Sequence, residues 1–332
     1  MLRHATPRTI TEGDVGLYTG LYGPRFAVQS SAAFAQAIGY PRAPVDDLLV
    51  FHVVFGKTVP DISLNAVANL GYAECRFLKP VYVGDTLAAK SEVIGVRENA
   101  NKESGVVYVR TTGTNQNGDT VLSYVRWVMV RKRDKASPAP AAVIPALADR
   151  VEPSTLGGAV PAMKREHYDL VLAGSTFKFA DYKAGERIDH IDGMTIEEAE
   201  HQIATRLYQN TAKVHFDGHA AKGTRFGRRL IYGGVVISLA RGLSFNGLQN
   251  AFHIAAINGG RHVAPLFAGD TVYAWSEVLE TSAIAGRDDI GAVRTRLVAT
   301  KNLPTEGVPL KTGDATTDGV ILDLDLWLVI PR

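Results

Sequence analysis

The sequence predicts an α+β protein made of two similar halves, each a buried helix wrapped by an antiparallel sheet. Three observations carry that expectation. Segments near the N-terminus recur, at an almost constant displacement, in the C-terminal part of the 332-residue chain. Each copy holds one nearly all-apolar stretch, Val45 to Val59 and Leu230 to Phe245, long enough for about four helical turns. Each copy then passes into strand-like runs, and a helix followed by antiparallel strands is an α+β unit. At roughly 150 residues per domain the length also implies about two domains.

The repeat is read directly. With Thr9 placed over Thr195, a displacement of 195 − 9 = 186, residues 9–31 match residues 195–217 without a gap at Thr9/Thr195, Ile10/Ile196, Glu12/Glu198, Thr19/Thr205, Leu21/Leu207, Tyr22/Tyr208 and Val28/Val214. The same displacement carries Arg42 onto Arg228 and Gly56 onto Gly242. One deletion later Arg76 falls on Arg261, Pro80 on Pro265, Gly84-Asp85-Thr86 on Gly269-Asp270-Thr271, and Ser91-Glu92-Val93 on Ser276-Glu277-Val278. Near the ends Arg126-Trp127-Val128 pairs with Leu326-Trp327-Leu328. The chain therefore divides into an N-terminal half at 1–134, a Pro/Ala-rich linker at 135–161 with prolines at 138, 140, 145, 153 and 161, and a C-terminal half at 162–332.

Taken in order, each half opens with a short helix near Thr9 or Thr195, where the threonine would cap and Glu12 or Glu198 would complete a capping box. A polar loop follows, then the apolar helix. Strands are expected over 82–96, 105–114 and 121–130, with partners over 272–280, 292–300 and 320–330.

Composition narrows the function. The chain is 46% hydrophobic and 21% charged, and 36 basic against 34 acidic residues leave a net charge of +2. That balance is too small to suggest nucleic acid or an anionic membrane as the main partner. The longest apolar runs fall far short of the ~18 residues that span a bilayer. A single cysteine, Cys75, forbids an internal disulfide and fits a reducing compartment, so a cytoplasmic protein is expected. No G-x-G-x-x-G after a strand, no G-x-x-x-x-G-K-[ST] and no G-x-S-x-G is present, which argues against nucleotide-binding loops and against a serine esterase. His215 and His219 could both ligate zinc, but no further ligand pattern accompanies them, and no metal is expected.

The second half reads Thr195-Ile196-Glu197-Glu198-Ala199-Glu200, then Gln209-Asn210-Thr211-Ala212-Lys213-Val214-His215-Phe216-Asp217. This resembles the MaoC-like, (R)-specific enoyl-CoA hydratases, whose helix–loop segment reads roughly T-x-T-E-A-D, then G-D-x-N-P-L-H-x-D. His215 and Asp217 fall on that family's His and following Asp, and Asn210 on its catalytic Asp. Tyr232-Gly233 stands where the family has a His-Gly pair opening the central helix. Longer stretches, His4 to Asp14, Phe55 to Ser63, Thr205 to Ala212 and Ala274 to Glu277, resemble the mesaconyl-CoA hydratase branch nearly end to end. The resemblance implies a double hotdog fold and a hydro-lyase acting on a short branched dicarboxylic acyl-CoA. It implies an acyl-CoA thioester as partner, with CoA part of the substrate and no separate cofactor; a homo-oligomer is left open. The stretch Phe179 to Gly185 resembles the family's opening strand. Its first-half mate would precede Met1, so the first half is expected to lack an edge strand.

The two halves differ where chemistry is expected. Under the 186 displacement His215 faces Gln29, Asn210 faces Pro24, Asp217 faces Ser31 and Gly233 faces Asp47. The working site is thus expected in the second half, with the first half non-catalytic. Hydration of an unsaturated thioester needs a base, a donor for the developing enolate oxygen and a dry slot. Neutral imidazole suits the first task and makes His215 the candidate. Gly233, opening a helix with a free N–H and no side chain, suits the second. A lone histidine is ordinarily a satisfied loop residue; the register match and the contrast with Gln29 weigh against that here. Asn210 can hold a water but takes no proton, so His215 would act alone or with Glu198 or Asp217. Lys213 is a candidate for the substrate carboxylate, with Asp217 and Tyr232 beside the site. Arg225, Arg228 and Arg229 form a basic cluster for CoA phosphates, and Arg76 and Arg261, present in both halves, read as structural. The rivals are another enoyl-CoA or itaconyl-CoA hydratase, a hotdog thioesterase, and a non-catalytic acyl-CoA binder.

Overall fold

A computed structural model describes residues 1–64 and 66–332. The elements of the first half run β1 (Leu2–Thr9), α1 (Glu12–Tyr22), α2 (Ala27–Ser30), α3 (Ala32–Ala37), α4 (Asp47–Thr58), β2 (Ala66–Phe77), β3 (Thr86–Glu98), β4 (Ser104–Thr114) and β5 (Thr120–Arg131). After the linker come α5 (Leu170–Ala173), β6 (Arg187–Thr195), α6 (Glu198–Leu207), α7 (Lys213–Phe216), α8 (Gly218–Ala221), α9 (Gly233–Leu243), β7 (His253–His262), β8 (Thr271–Ala283) and β9 (Ile290–Lys301). A two-stranded ribbon, β10 (Lys311–Thr312) with β11 (Ala315–Thr316), precedes the last strand, β12 (Val320–Pro331).

The ten long strands form one antiparallel sheet in the order β1-β3-β4-β5-β2-β7-β12-β9-β8-β6. The order is a palindrome of the repeat. Its centre is the antiparallel pair β2–β7, which places Tyr72 opposite Gly260 and Cys75 opposite Ile257. Both joining strands fall outside the expected strand segments, because Asn69, Gly71, Asn258, Gly259 and Gly260 break the alternation that marks a strand.

The helices α4 and α9 lie inside the curl of the sheet, within one core that runs through both halves. Leu48, Leu49, Phe51, Val54, Val235, Ala240 and Leu243 are all but completely buried, at about 1.5–3 kcal/mol for each of the larger side chains. Asp46 caps α4 by accepting from the Leu48 N–H at 2.9 Å. Two repeat-related pairs bond each other across the centre. The Tyr208 hydroxyl donates to that of Tyr22 at 2.9 Å, and His52 on α4 meets the Ser238 hydroxyl on α9 at 2.9 Å.

Two expectations are corrected. Thr9 and Thr195 do not cap helices: they end β1 and β6, and their hydroxyls pair with Thr86 and Thr271. The capping boxes sit two residues on, at Thr11 with Asp14 and at Glu197 with Glu200. Nor does the first half lack its edge strand. Residues 179–181 form a 3-10 turn, and the edge strand of the second half is β6, whose mate β1 pairs with β3.

Residues 135–161 lie against the outer face. Val151, Leu156 and Val160 are buried beside Trp327, Val28 and Ile38 in a second apolar cluster, and the Trp327 indole N–H donates to the Val151 carbonyl at 3.0 Å. Among the described residues no helix is long and apolar enough to cross a membrane.

Candidate active site

The loop after α6 is shaped by Asn210. Its N–H donates to the Thr205 carbonyl at 2.9 Å, closing the helix, and its Oδ1 accepts from the Ala212 N–H at 3.2 Å. An Asx turn of this kind redirects the chain into the single turn α7, which carries His215. The backbone N–H of Leu230 donates to the Val214 carbonyl at 3.0 Å. His215 Nδ1 lies 2.8 Å from the Leu230 carbonyl. A carbonyl only accepts, so Nδ1 holds the proton and Nε2 carries the free lone pair of the neutral ring. Burial pushes the His215 imidazole down to about 4, so it is neutral at physiological pH.

Leu230 leads into the start of α9. Tyr232 precedes the helix, its ring 5.6 Å from that of His215, and Gly233 is the first helical residue. An N–H at that position has no carbonyl one turn back to bond, and it lies at the positive end of the helix dipole. A side chain at Gly233 would overlap the imidazole of His262, so the glycine is required by that ring as well as by any ligand. The fold thus brings His215, Tyr232 and Gly233 together.

The remaining candidates are placed elsewhere. Lys213, Arg225 and Arg228 are exposed. The Arg225 guanidinium covers Phe226 and that of Arg228 covers Phe267. Lys213 therefore stands at the surface rather than in a dry slot. Asp217, expected beside the substrate, caps α8 instead: its Oδ1 accepts from the His219 and Ala220 N–H groups at 3.0 Å, and these bonds hold its carboxyl below the ordinary range. Arg229, expected to meet CoA, is instead bonded to Glu198 and Gln202 on α6. These contacts also engage Glu198 and Asp217, the two carboxylates considered as partners for His215; its ring is oriented by a backbone carbonyl.

Sequence reasoning missed several residues that the fold delivers to the same place. His201 on α6 accepts from the Tyr232 N–H through Nε2 at 3.0 Å, and its ring lies 6.4 Å from that of His215. Burial, with His215 and Arg229 adding to it, pushes His201 down to about 3. Burial and then His215 push His262 to about 4. The first half contributes Tyr72, whose ring is 6.1 Å from His262, and Tyr124 and Arg126 from β5. A signal for them exists in the repeat. His262 stands over Phe77, and Arg126 over Leu326, so polar residues in one copy face apolar ones in the other. Among the described residues no three His, Cys, Asp or Glu side chains converge to hold a metal ion.

The matching region of the first half is closed. Asp47, the mate of Gly233, accepts from His253 Nδ1 at 2.9 Å and from the Ile254 N–H at 2.8 Å. Gln29, the mate of His215, donates to the Phe252 carbonyl at 2.7 Å. The cavity among Gln29, Tyr40, Asp47 and His253 is about 10 Å³, room for about one water.

Comparison with known proteins follows the same line. A family model described as mesaconyl-CoA hydratase matches residues 24–316. The chain is similar to the beta-methylmalyl-CoA dehydratase of Chloroflexus aurantiacus, 60% identical over 99% of this chain and 94% of that one. It is similar also to the mesaconyl-CoA hydratase of Cereibacter sphaeroides, 58% identical over 100% and 95%. The crystal structure of a MaoC domain protein dehydratase from Chloroflexus aurantiacus superposes with a TM-score of 0.97 at 59% identity, covering 100% of this chain and 94% of that one. A Mycobacterium tuberculosis protein with a double hotdog fold superposes at 0.71 and 24% identity, covering 98% and 94%, and shares the fold.

Proposed function

The chain belongs to the mesaconyl-CoA hydratase family, and from that premise we infer that it is a hydro-lyase interconverting β-methylmalyl-CoA and mesaconyl-CoA by reversible addition of water. The activity rests on the family. The roles within the site are our reading of the geometry, and one observation carries them: His215 is fixed through Nδ1 with Nε2 free, beside the N-terminus of α9 at Gly233.

In the hydration direction Nε2 of His215 takes a proton from water as the hydroxyl oxygen bonds to the β-carbon. The π pair moves toward the thioester oxygen, where the Gly233 N–H and the helix dipole meet the developing charge. The imidazolium then returns its proton to the α-carbon, and no atom is left over. Burial favours this second transfer, because a cation on a ring whose pKa is held near 4 is a strong acid. Asn210, in place of a carboxylate, keeps its Nδ2 hydrogens for orienting water or substrate while its Oδ1 shapes the loop. The exposed Lys213, Arg225 and Arg228 surround the loop and suit the CoA phosphates.

The test is to mix the protein with mesaconyl-CoA and follow two signals together. Loss of enoyl-thioester absorbance without release of free thiol is expected. Thiol release would indicate hydrolysis, and no change with any enoyl-CoA would indicate a binding protein.

A further inference from the structure

The core of the first half contains a fully buried arginine whose charge no carboxylate among the described residues answers. Arg126, on β5, is 0% exposed. One terminal nitrogen, Nη2, donates to the Thr58 hydroxyl at 2.8 Å and reaches Ser63 at 3.4 Å. Among the described residues its buried Nε and Nη1 find no partner. The guanidinium lies over the Phe55 ring at 4.1 Å, and the charged or titratable groups that act on it are the hydroxyls of Tyr124, Tyr72 and Tyr232. The Tyr124 and Tyr232 hydroxyls are themselves buried without partners among the described residues.

The other buried arginine of the core shows what a structural one looks like. Arg241 donates to the Ser244 hydroxyl and the Ala251 carbonyl, and the carboxylates of Asp46 and Asp47 act on it. Nor does the fold demand a cation at position 126. The repeat mate is Leu326, which packs in the core of the second half. An unpaired buried charge is strongly disfavoured; a feature that costly, absent from the matching copy, points to a ligand that completes it. The group connects with the site already described: Phe55 lies 5.7 Å from Tyr232, whose ring is 5.6 Å from His215.

Resting on the function inferred above, we propose that Arg126 binds the free carboxylate of the acyl group, with the Tyr124 and Tyr232 hydroxyls beside it, and so selects dicarboxylic over alkyl enoyl thioesters. Thr58 occupies Nη2, and the donors left on Nε and Nη1 can each give a charge-assisted hydrogen bond to a carboxylate oxygen. A neutral acyl chain would leave these donors unpaired in a dry site, and sites of that kind reject such analogues by about 10⁴-fold. Lys213, exposed on α7, is then free for the CoA end.

The experiment compares mesaconyl-CoA with an uncharged but-2-enoyl-CoA on wild type, Arg126→Leu and Arg126→Lys. For Arg126→Leu, kcat/KM on mesaconyl-CoA is expected to fall by about 10²-fold or more, while the uncharged substrate loses nothing or gains; Arg126→Lys should recover part of the loss. Undiminished hydration of mesaconyl-CoA by Arg126→Leu, or an equal loss on both substrates, overturns the role of Arg126. A second measurement needs no variant. Wild type is offered mesaconyl-CoA and its distal methyl ester, and a preference for the acid of about 10²-fold or more is expected; equal rates overturn the proposal even where Arg126→Leu fails to fold. Failure of wild type to hydrate mesaconyl-CoA at all would sink the substrate reading instead.

Discussion

Tyr208 donates its hydroxyl proton to Tyr22, its own counterpart in the other half of the repeat, at 2.9 Å. The carbonyls of the same two residues each receive a helix. A methyl group at Gly56 on α4 would overlap the Tyr208 carbonyl, and one at Gly242 on α9 would overlap the Tyr22 carbonyl. The repeat thus preserves a reciprocal docking of each central helix on the other half's loop. Because backbone cannot step aside as a side chain can, Gly56→Ala should destabilise by about 1–3 kcal/mol or more. Gly20 lies on the exposed face of α1, where a methyl group would meet nothing within 4 Å, and provides the control. Gly20→Ala should be neutral or stabilising by up to about 1 kcal/mol. Urea melts of the two variants check this, and equal midpoints would contradict the docking argument.

The repeat explains how much could be read in advance. Apolar stretches all round announce buried helices, and α4 and α9 were legible at once. Strands β3, β4 and β8 alternate well enough to be found. The joining strands β2 and β7 were illegible because they sit at the centre of the sheet, where neighbours rather than period decide what fits. In the site, His215 and Gly233 could be read from a local register. His201, His262 and Arg126 could not, since each reaches its contacts only when α6, β7 and β5 pack. Asp217 and Arg229 take local partners, which a sequence does not reveal, because a polar side chain in a loop has backbone and helix groups within reach.

Removing the His215 ring should lower turnover by about 10²–10⁴-fold, the range for a lost general acid–base. The side chain is held by one bond to the Leu230 carbonyl, so the fold should survive His215→Ala. Turnover on mesaconyl-CoA, measured beside the circular dichroism spectrum, checks this. Near wild-type turnover would remove His215 from the mechanism.

The closed region of the first half makes the opposite prediction. Asp47 is bonded to His253 and to the Ile254 N–H, so Asp47→Ala strands two buried donors. Stability should fall by about 2–4 kcal/mol, while kcat on the folded protein stays within about threefold. Loss of turnover with an unchanged melting temperature would move the chemistry to the first half.

The buried imidazoles set the acid limit. Burial holds His52 and His201 at about 3 and His190, His215 and His262 at about 4, against about 6.5 in an unfolded chain. As pH falls below about 6.5 the unfolded chain therefore binds protons that the folded one refuses. Stability rises with pH wherever the unfolded state holds more protons, so it must fall through this window, by up to about 1.4 kcal/mol per pH unit for each ring. The melting temperature should be level near pH 7.5 and drop steeply between pH 6 and 5, before the ordinary carboxylates begin to protonate. While the protein remains folded, kcat/KM should pass through pH 6.5 without the half-loss an unperturbed histidine base would show, because His215 is still neutral there. A level melting temperature down to pH 5, or an activity midpoint near 6.5 in folded enzyme, would mean that these rings are hydrated rather than buried.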